Sequence, residues 1–497
     1  MTQNIFIEGV WLVLSWPTIF WVLAGILIGI IVGSLPGIGA SLGMAILLPL
    51  TLPLPALDAL ILLIGIYSGA MYGGSIAAIL LNAPGTSAAA ATTFDGYPMS
   101  RQGRAITALS ISATASATAG LFTITTLILL SPILIGLVLA FQSPEYFLIA
   151  VLGLAMITVV ARGSMVKGLL AGTFGLLLTT VGIAPMSVDP RYTFGYLTLY
   201  DGISFVAVLI GLFALAEMMK LAGEKGGIAK AGFEFSGEIL PGIRTVFNHP
   251  VTLLKSAYIG MAIGAIPGAG STVSNFVAYT EAVRSSKDPD SFGRGNEIGV
   301  LASEASNNGT VGGSVIPALA FGIPGSAATA VFIGGLLMHG LRPGPDLFNP
   351  QAELWITYGM FFALLVGNLM ILVLGLLLVT RLGYLTQIDT DYIIPMIIIL
   401  SFLGAFSLRT NWMDVVTVVV LGFIGFYMKK YNYSIIAFVL GVVLGPIAEE
   451  NLFRSLQISD GSFLIFVTKP LSLLLVIMIV LLLFGPFIKE HLNRTST

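Results

Sequence analysis

Long apolar runs, each closed by a few polar or Gly/Pro positions, recur along almost the whole chain. Two of them, 353–380 and 463–488, clearly exceed the ~18–20 apolar residues that a helix needs to cross a bilayer. Others lie near 12–33, 38–53, 57–82, 106–130, 132–141 with its flanks, 145–161, 166–184 and 200–220. A second series runs near 251–266, 269–283, 297–321, 325–340, 390–408, 412–428 and 432–447. The pattern predicts an all-α polytopic membrane protein with roughly 11–14 membrane segments, the shorter ones re-entrant. The longest hydrophilic stretch, 221–250, carries Glu224, Lys225, Lys230, Glu234, Glu238 and Arg244. It reads as a polar linker between a first transmembrane repeat, 1–220, and a second, 251–497.

Those two parts resemble each other. Residues 29–42 read GIIVGSLPGIGASL and 260–273 read GMAIGAIPGAGSTV. Gly29, Gly33, Pro36, Gly37 and Gly39 recur as Gly260, Gly264, Pro267, Gly268 and Gly270. A second block pairs Gly73-Gly74-Ser75 with Gly312-Gly313-Ser314, and Pro84-Gly85-Thr86 with Pro324-Gly325-Ser326 after one inserted residue. A third sets Asp95-Gly96-Tyr97-Pro98 against His339-Gly340-Leu341-Arg342-Pro343. Three blocks in one order imply a structural repeat. An inverted arrangement is favoured, because such pairs are common in secondary carriers.

Composition agrees and excludes much. Charged residues make up 9% of the chain and hydrophobic ones 56%, where a soluble domain carries roughly 25% charged. There is no cysteine, hence no disulfide or thiol chemistry. His249, His339 and His491 are too scattered for a multi-histidine metal site. The formal net charge of −2 argues against nucleic acid. No nucleotide-binding, metalloprotease or serine-hydrolase motif is present, so neither an enzyme nor an ATP-driven pump is expected and no cofactor is required. The N-terminus lacks a basic leader, so 12–33 reads as a retained segment. Lys429/Lys430 and Lys489/Arg494 can share the cytoplasmic side, with a loop bearing Glu449, Glu450 and Asp460 opposite.

The candidate chemistry lies at the four Pro-Gly breaks. Proline removes a backbone donor, and the helix restarting after it exposes unpaired N–H groups and its positive dipole end. Such ends hold anions without a fixed positive charge. The candidate substrate ligands are Gly37, Gly39, Ser41, Asn82, Gly85, Thr86, Gly268, Gly270, Ser271, Thr272, Gly325 and Ser326, with the amides Asn307 and Asn308. Glu304 repels a carboxylate and suits a coupling cation or proton instead, with Asn307 as its neighbour. Tyr67 and Tyr72 either line the cavity or pack. The Gly29/Gly33/Gly37 and Gly260/Gly264/Gly268 ladders read as helix-packing surfaces.

The stretches YSGAMYGGSIAAILLNAPGTSAAAATTFDGYPMSRQGRA (67–105) and EIGVLASEASNNGTVGGSVIPALAFGIPGSAATAVFIGGLLMHGLRPGP (297–345), with GSLPGIGA and GAIPGAGS, resemble the large membrane subunit of the tripartite tricarboxylate transporters. The resemblance covers about 20 to 430. It implies a small four-helix membrane subunit and a periplasmic solute-binding protein as partners, in a bacterial inner membrane. It implies import of a di- or tricarboxylate such as citrate, driven by sodium or protons. The family's motif positions here are Pro36, Gly37, Gly39, Asn82, Pro84, Gly85, Pro267, Gly268, Gly270, Glu304, Asn307, Asn308, Pro324 and Gly325. The rival expectation is a one-component carboxylate carrier or an anion channel.

Overall fold

A computed structural model describes residues 2–157, 164–184, 187–223, 236–378, 381 and 390–495. Its framework is helical: α1 (Thr2–Leu14), α2 (Thr18–Ser34), α3 (Gly39–Leu47), α4 (Ala56–Leu81), α5 (Thr93–Arg101), α6 (Ala105–Ala140), α7 (Ser143–Ala155), α8 (Met165–Thr179) and α9 (Phe205–Gly223). Then come α10 (Ile239–Asn248), α11 (Pro250–Gly264), α12 (Gly270–Ser285), α13 (Glu297–Phe321), α14 (Ala327–Met338), α15 (Leu354–Leu377), α16 (Thr390–Arg409), α17 (Trp412–Lys430), α18 (Ile435–Ile458) and α19 (Pro470–Thr495). The single small sheet pairs Gly182–Ile183 with Pro190–Arg191 among the described residues.

Six of the described helices are long and apolar enough to cross a membrane, or seven if the bent pair Phe6–Leu14 and Thr18–Ser34 forms one span. Six further apolar helices are shorter. The roughly 11–14 segments read from hydropathy therefore mixed full crossings with the half-length arms that the breaks create. Three boundaries shift for physical reasons. The first segment starts at Thr18, because the chain bends by 70° between Leu14 and Thr18. The runs 106–130 and 132–141 form one helix through Pro132, whose ring removes the donor to Ile128 O; the Ser131 hydroxyl takes that carbonyl at 2.7 Å instead. Glu449 and Glu450 lie inside α18 rather than in a loop, where Arg191 grips Glu449 at 2.6 and 3.2 Å and is held above its usual basicity by that bond.

The polar stretch 221–250 is only partly a linker. Glu224, Lys225, Lys230 and Glu234 lie outside the described residues, as do the side chains of Lys489, His491 and Arg494. Residues 239–248 form α10, which packs on α6 with Gly242 against Thr107 O. Glu238 accepts from and donates to the Thr107 hydroxyl.

The two glycine ladders make matching contacts. Helices α2 and α4 form the most extensive pairing, and α11 and α13 the next. In the first pair, Cβ atoms added at Gly29 and Gly33 would meet Ile66 O at 2.5 Å and Ala70 O at 2.3 Å. In the second, Cβ atoms at Gly260 and Gly264 would meet Ser306 O at 2.3 Å and Thr310 O at 2.7 Å. Gly69 and Gly73 face Ile26 O and Ile30 O; Gly309 and Gly313 face Ala257 O and Met261 O. These equivalences fix the register. Position 66 corresponds to 306, 70 to 310, 73 to 313 and 85 to 325, with no insertion. The Gly-Gly-Ser alignment made from letters was thus one residue out: Gly73 matches Gly313, and Ser75 matches Val315. In the same register Asp95 falls opposite Gly335 and His339 opposite Met99, so the third block is four residues out. Gly37 is not part of the packed ladder, since a Cβ there would meet only Leu221 Cδ2 at 3.6 Å.

Across the repeats, α4 meets α13. Ser75 contacts Glu304, Asn307 Nδ2 donates to Met71 O at 2.8 Å, and Tyr67 pairs with Ser314 at 3.0 Å. Rising numbers on one helix meet falling numbers on the other, so α4 and α13 run antiparallel. The ends exchange in the same way. Thr51, before α4, meets His339 after α14 at 3.2 Å. Arg294 and Gly295, before α13, are held by Gln102 and Arg104 after α5, both at 2.8 Å.

Gly85 is the tightest position in this frame. A Cβ there would lie 1.8 Å from Gly33 O and 3.0 Å from Gly74 Cα. Only backbone could yield. Gly85→Ala is therefore expected to destabilise the protein by about 3 kcal/mol, read as early loss of the monodisperse peak on heating in detergent. Gly270→Ala is the contrast: nothing lies within 4 Å of its Cβ, and only its φ of +64° opposes the change. Its expected cost is about 1 kcal/mol.

Candidate functional site

The four Pro-Gly breaks converge. They bound one cavity of about 660 Å³, lined by Gly37–Leu42, Pro84–Ala88, Gly268–Thr272 and Ser326–Ala328. Two breaks come from each repeat. Direct bonds tie the walls: Thr272 Oγ1 donates to Ser87 Oγ at 3.0 Å, and Asn275 Nδ2 donates to Ala88 O at 2.8 Å. Tyr67 lines the same cavity and bridges Ser314 at 3.0 Å and Ser326 at 3.5 Å.

The local backbone repeats as well. Gly37 (φ 82°), Ile38 (φ −80°) and Gly39 (φ 66°) alternate left- and right-handed before α3. Gly268 (φ 71°), Ala269 (φ −65°) and Gly270 (φ 64°) do the same before α12. Alternation of this kind is the backbone of an anion-binding nest, but here the central N–H groups, of Ile38 and Ala269, close on Leu35 O and Ile266 O at 3.2 Å. Only glycine accepts positive φ without strain, which is why it recurs at both outer positions. The second breaks are closed differently. Thr86 and Ser326 cap the chain that follows, accepting from Ala89 N and Thr329 N. Both residues line the cavity.

The structure brings Gly37, Gly39, Ser41, Gly85, Thr86, Gly268, Gly270, Ser271, Thr272 and Ser326 to the cavity wall. It places Asn82, Asn307, Asn308, Gly325 and Glu304 elsewhere. Asn82 ends α4 in the left-handed conformation (φ 57°), and Gly322 ends α13 the same way (φ 67°), so Asn82 is a helix terminator. Gly325 packs against Gly264 O. Sequence reasoning missed one side of the cavity: Phe213, Glu217 and Lys220 of α9, Lys429 of α17, and residues 432–436 leading into α18. Lys429 pairs with Glu217, and Lys220 approaches the same carboxylate at 3.5 Å. Both ammonium groups therefore stand at this carboxylate on the cavity wall. The signal was present in Lys429, but it served there only to orient the chain.

Glu304 and its amide neighbours form a separate, buried centre outside the cavity lining. The Glu304 carboxylate is fully buried. Ser75 donates to both of its oxygens at 2.6 and 2.7 Å, Ser112 donates at 2.9 Å and Ser116 at 3.1 Å, and Thr92 is a fourth donor. No Lys, Arg or His pairs with it among the described residues. Nearby on the α4/α13 crossing, Asn307 Oδ1, both polar atoms of the Asn308 amide and Ser68 Oγ are buried without a hydrogen-bond partner among the described residues. Tyr72, whose hydroxyl is likewise unpaired, does not reach the cavity. Glu297, at the other end of the same motif, is a surface anchor that pairs with Arg104 at 3.1 Å and accepts from Thr245 at 2.5 Å. No group of three or more His, Cys, Asp or Glu that could hold a metal occurs among the described residues.

Among known proteins, the family described as the tripartite tricarboxylate transporter TctA family matches residues 19–440. An Agrobacterium vitis protein, described as an uncharacterized 52.8 kDa protein in the TAR-I ttuC' 3' region, is 36% identical over 426 residues, 84% of this chain and 82% of that one. A second protein from the same organism, in the TAR-II ttuC' 3' region, is 33% identical over 213 residues, 43% of this chain and 87% of that one. No solved structure matches this chain. The long match, together with the paired breaks that meet in one cavity, shows that the chain belongs to the tripartite tricarboxylate transporter TctA family.

Proposed function

We propose that this protein is the large membrane subunit of a binding-protein-dependent secondary transporter that imports a di- or tricarboxylate of citrate type. The observation that carries the reading is the cavity of about 660 Å³ bounded by breaks from both repeats. A polycarboxylate presents several anionic groups a few ångströms apart. Two glycine-flanked breaks, the hydroxyl-bearing residues Ser41, Thr86, Ser271, Thr272 and Ser326, and Lys429 at the rim suit such a ligand. No catalytic role is assigned to any of these groups. The antiparallel crossing of α4 and α13 supports an inverted repeat about an axis in the membrane plane, as in other two-fold carriers. The small four-helix membrane subunit, the periplasmic binding protein and the bacterial inner membrane belong to this proposal.

The driving ion is assigned to Glu304, with Asn307 beside it. A buried carboxylate without a cationic partner carries a large desolvation cost, which a proton or a sodium ion removes on arrival. Thr92, which donates to Glu304, lies in the same segment as Thr86, which lines the cavity. Ion occupancy at Glu304 thereby bears on the position of a wall of the substrate site.

Uptake into proteoliposomes holding this chain and its small partner tests the reading. Saturable carboxylate uptake that needs both the binding protein and an ion gradient is the expected result. Flux that rises linearly with concentration and ignores the gradient marks a channel, and saturable uptake without the binding protein marks a one-component carrier. Glu304→Gln keeps the side-chain shape and is expected to abolish gradient-driven accumulation while carboxylate exchange across the membrane persists. Equal accumulation by wild type and variant removes Glu304 from coupling.

A further inference from the structure

A second cavity, of about 620 Å³, lies across a thin wall from the first. Three elements contribute to both. Helix α9 gives Phe205 to the second cavity and Phe213, Glu217 and Lys220 to the first. The α14 hairpin gives Gly322, Ile333 and Leu337 to the second and Ser326–Ala328 to the first. Helix α18 gives Val442, Pro446 and Glu450 to the second and Ile435 and Ile436 to the first. From 328 to 333 on α14, and from 205 to 213 on α9, the wall is about 8–12 Å thick at helical rise. It is made of buried side chains such as Leu209, Ala330 and Val439. Within it, Ile210–Leu215 is a π-helical turn, a local weakness of the kind found at functional sites.

The two cavities open toward opposite ends of the molecule. Lys429 at the end of α17 borders the first; Glu450 and Arg454 border the second, about 22 Å or more further along α18 from Ile435. The charged groups facing the second cavity are Arg342, Arg454, Asp346 and Glu450. Arg454 holds Glu450 at 2.5 Å, whereas Arg342 approaches it only at 3.9 Å and keeps a side-chain exposure of 76%. The Tyr146 hydroxyl lines the same space, is buried, and has no hydrogen-bond partner among the described residues. An anion entering here meets the loosely paired Arg342 guanidinium beside the Asp346 and Glu450 carboxylates, with the unpartnered Tyr146 hydroxyl buried just beneath the surface.

We propose that this second cavity is the opposite-side vestibule of a single anion route, with Arg342 and Tyr146 as its carboxylate-receiving pair. The inference rests on the transport reading above, and adds where the substrate stands before the wall between the cavities opens. Movement of the α14 hairpin against α9 and α18 joins the two spaces.

The chain's lack of cysteine gives a clean background for the test. Leu337→Cys and Asn451→Cys report the second cavity; Ser87→Cys and Ser271→Cys report the first. With a membrane-impermeant maleimide, the two sets are expected to react from opposite faces of sealed vesicles. Labelling of both from one face, or of the second pair from neither, overturns the route. This readout needs no transport, so it stands even if wild-type uptake fails. For the receiving pair, Arg342→Gln is expected to raise KM about tenfold at low ionic strength, with the gap closing in salt and kcat kept. Tyr146→Phe should raise KM too, and Arg342→Lys should recover most of the loss. An unchanged KM and salt dependence in Arg342→Gln overturns the pair.

Discussion

Two backbone carbonyls standing where side chains would be are the constraint on which the rest depends. Gly33 O occupies the space of a Cβ at Gly85, and Gly264 O that of a Cβ at Gly325. In each repeat the carbonyl belongs to the last turn before one break, and the glycine belongs to the next break. The two breaks of a repeat are therefore fixed against each other by backbone, with no side chain between them to adjust. Small residues serve this purpose in membranes, where apolar side chains gain little by leaving lipid for protein. The ladder of glycines along α2/α4 and α11/α13 sets the spacing, and the cavity is the space that remains where the ladders stop.

The symmetry built by that packing is broken where the ion chemistry sits. In the register fixed by the carbonyl contacts, the partner of Glu304 is Ile64, and the partner of Ser75 is Val315. Tyr67 and Ser68 stand where the second repeat has Asn307 and Asn308. The glycine nests are thus present twice, and the buried carboxylate once. A doubled nest suits a ligand with several equivalent anionic groups. A single carboxylate, bonded from Ser75, Thr92, Ser112 and Ser116 on three first-repeat elements, ties α13 to the other half of the molecule. Any change in its charge acts on a contact between the repeats and not within one.

Much of this was legible in the sequence because the informative signals were backbone signals. Pro36-Gly37, Pro84-Gly85, Pro267-Gly268 and Pro324-Gly325 announce breaks by removing donors and permitting positive φ, and those requirements are local. Their convergence followed from the repeat. What letters alone could not supply was the register: Gly-Gly-Ser occurs at 73–75 and 312–314, yet the packing contact pairs Gly73 with Gly313. A glycine is invisible to hydropathy and its neighbours are all small, so a one-residue slip leaves the pattern unchanged while rotating every side chain by about 100° on a helix. That slip is what equated Ser75 with Ser314, when one serves Glu304 and the other serves Tyr67.

The misplaced residues fail for the same physical reason in reverse. Asn82, Asn307 and Asn308 are polar and intramembrane, and polarity alone suggested ligands. Polarity does not say which way a side chain faces. Asn82 is needed for a left-handed φ that Gly322 supplies in the other repeat. Asn307 spends its amide donor on Met71 O, on the far side of a residue whose side chain lines the cavity. The opposite error hid Lys429, which read only as a sign of orientation, and Glu217 and Lys220, which carried no signal of their own. Only the fold shows that α9 and α17 end at the rim of a cavity that their own sequences do not announce. Broken helices declare themselves in one dimension; the intact helices that wall the space between them do not.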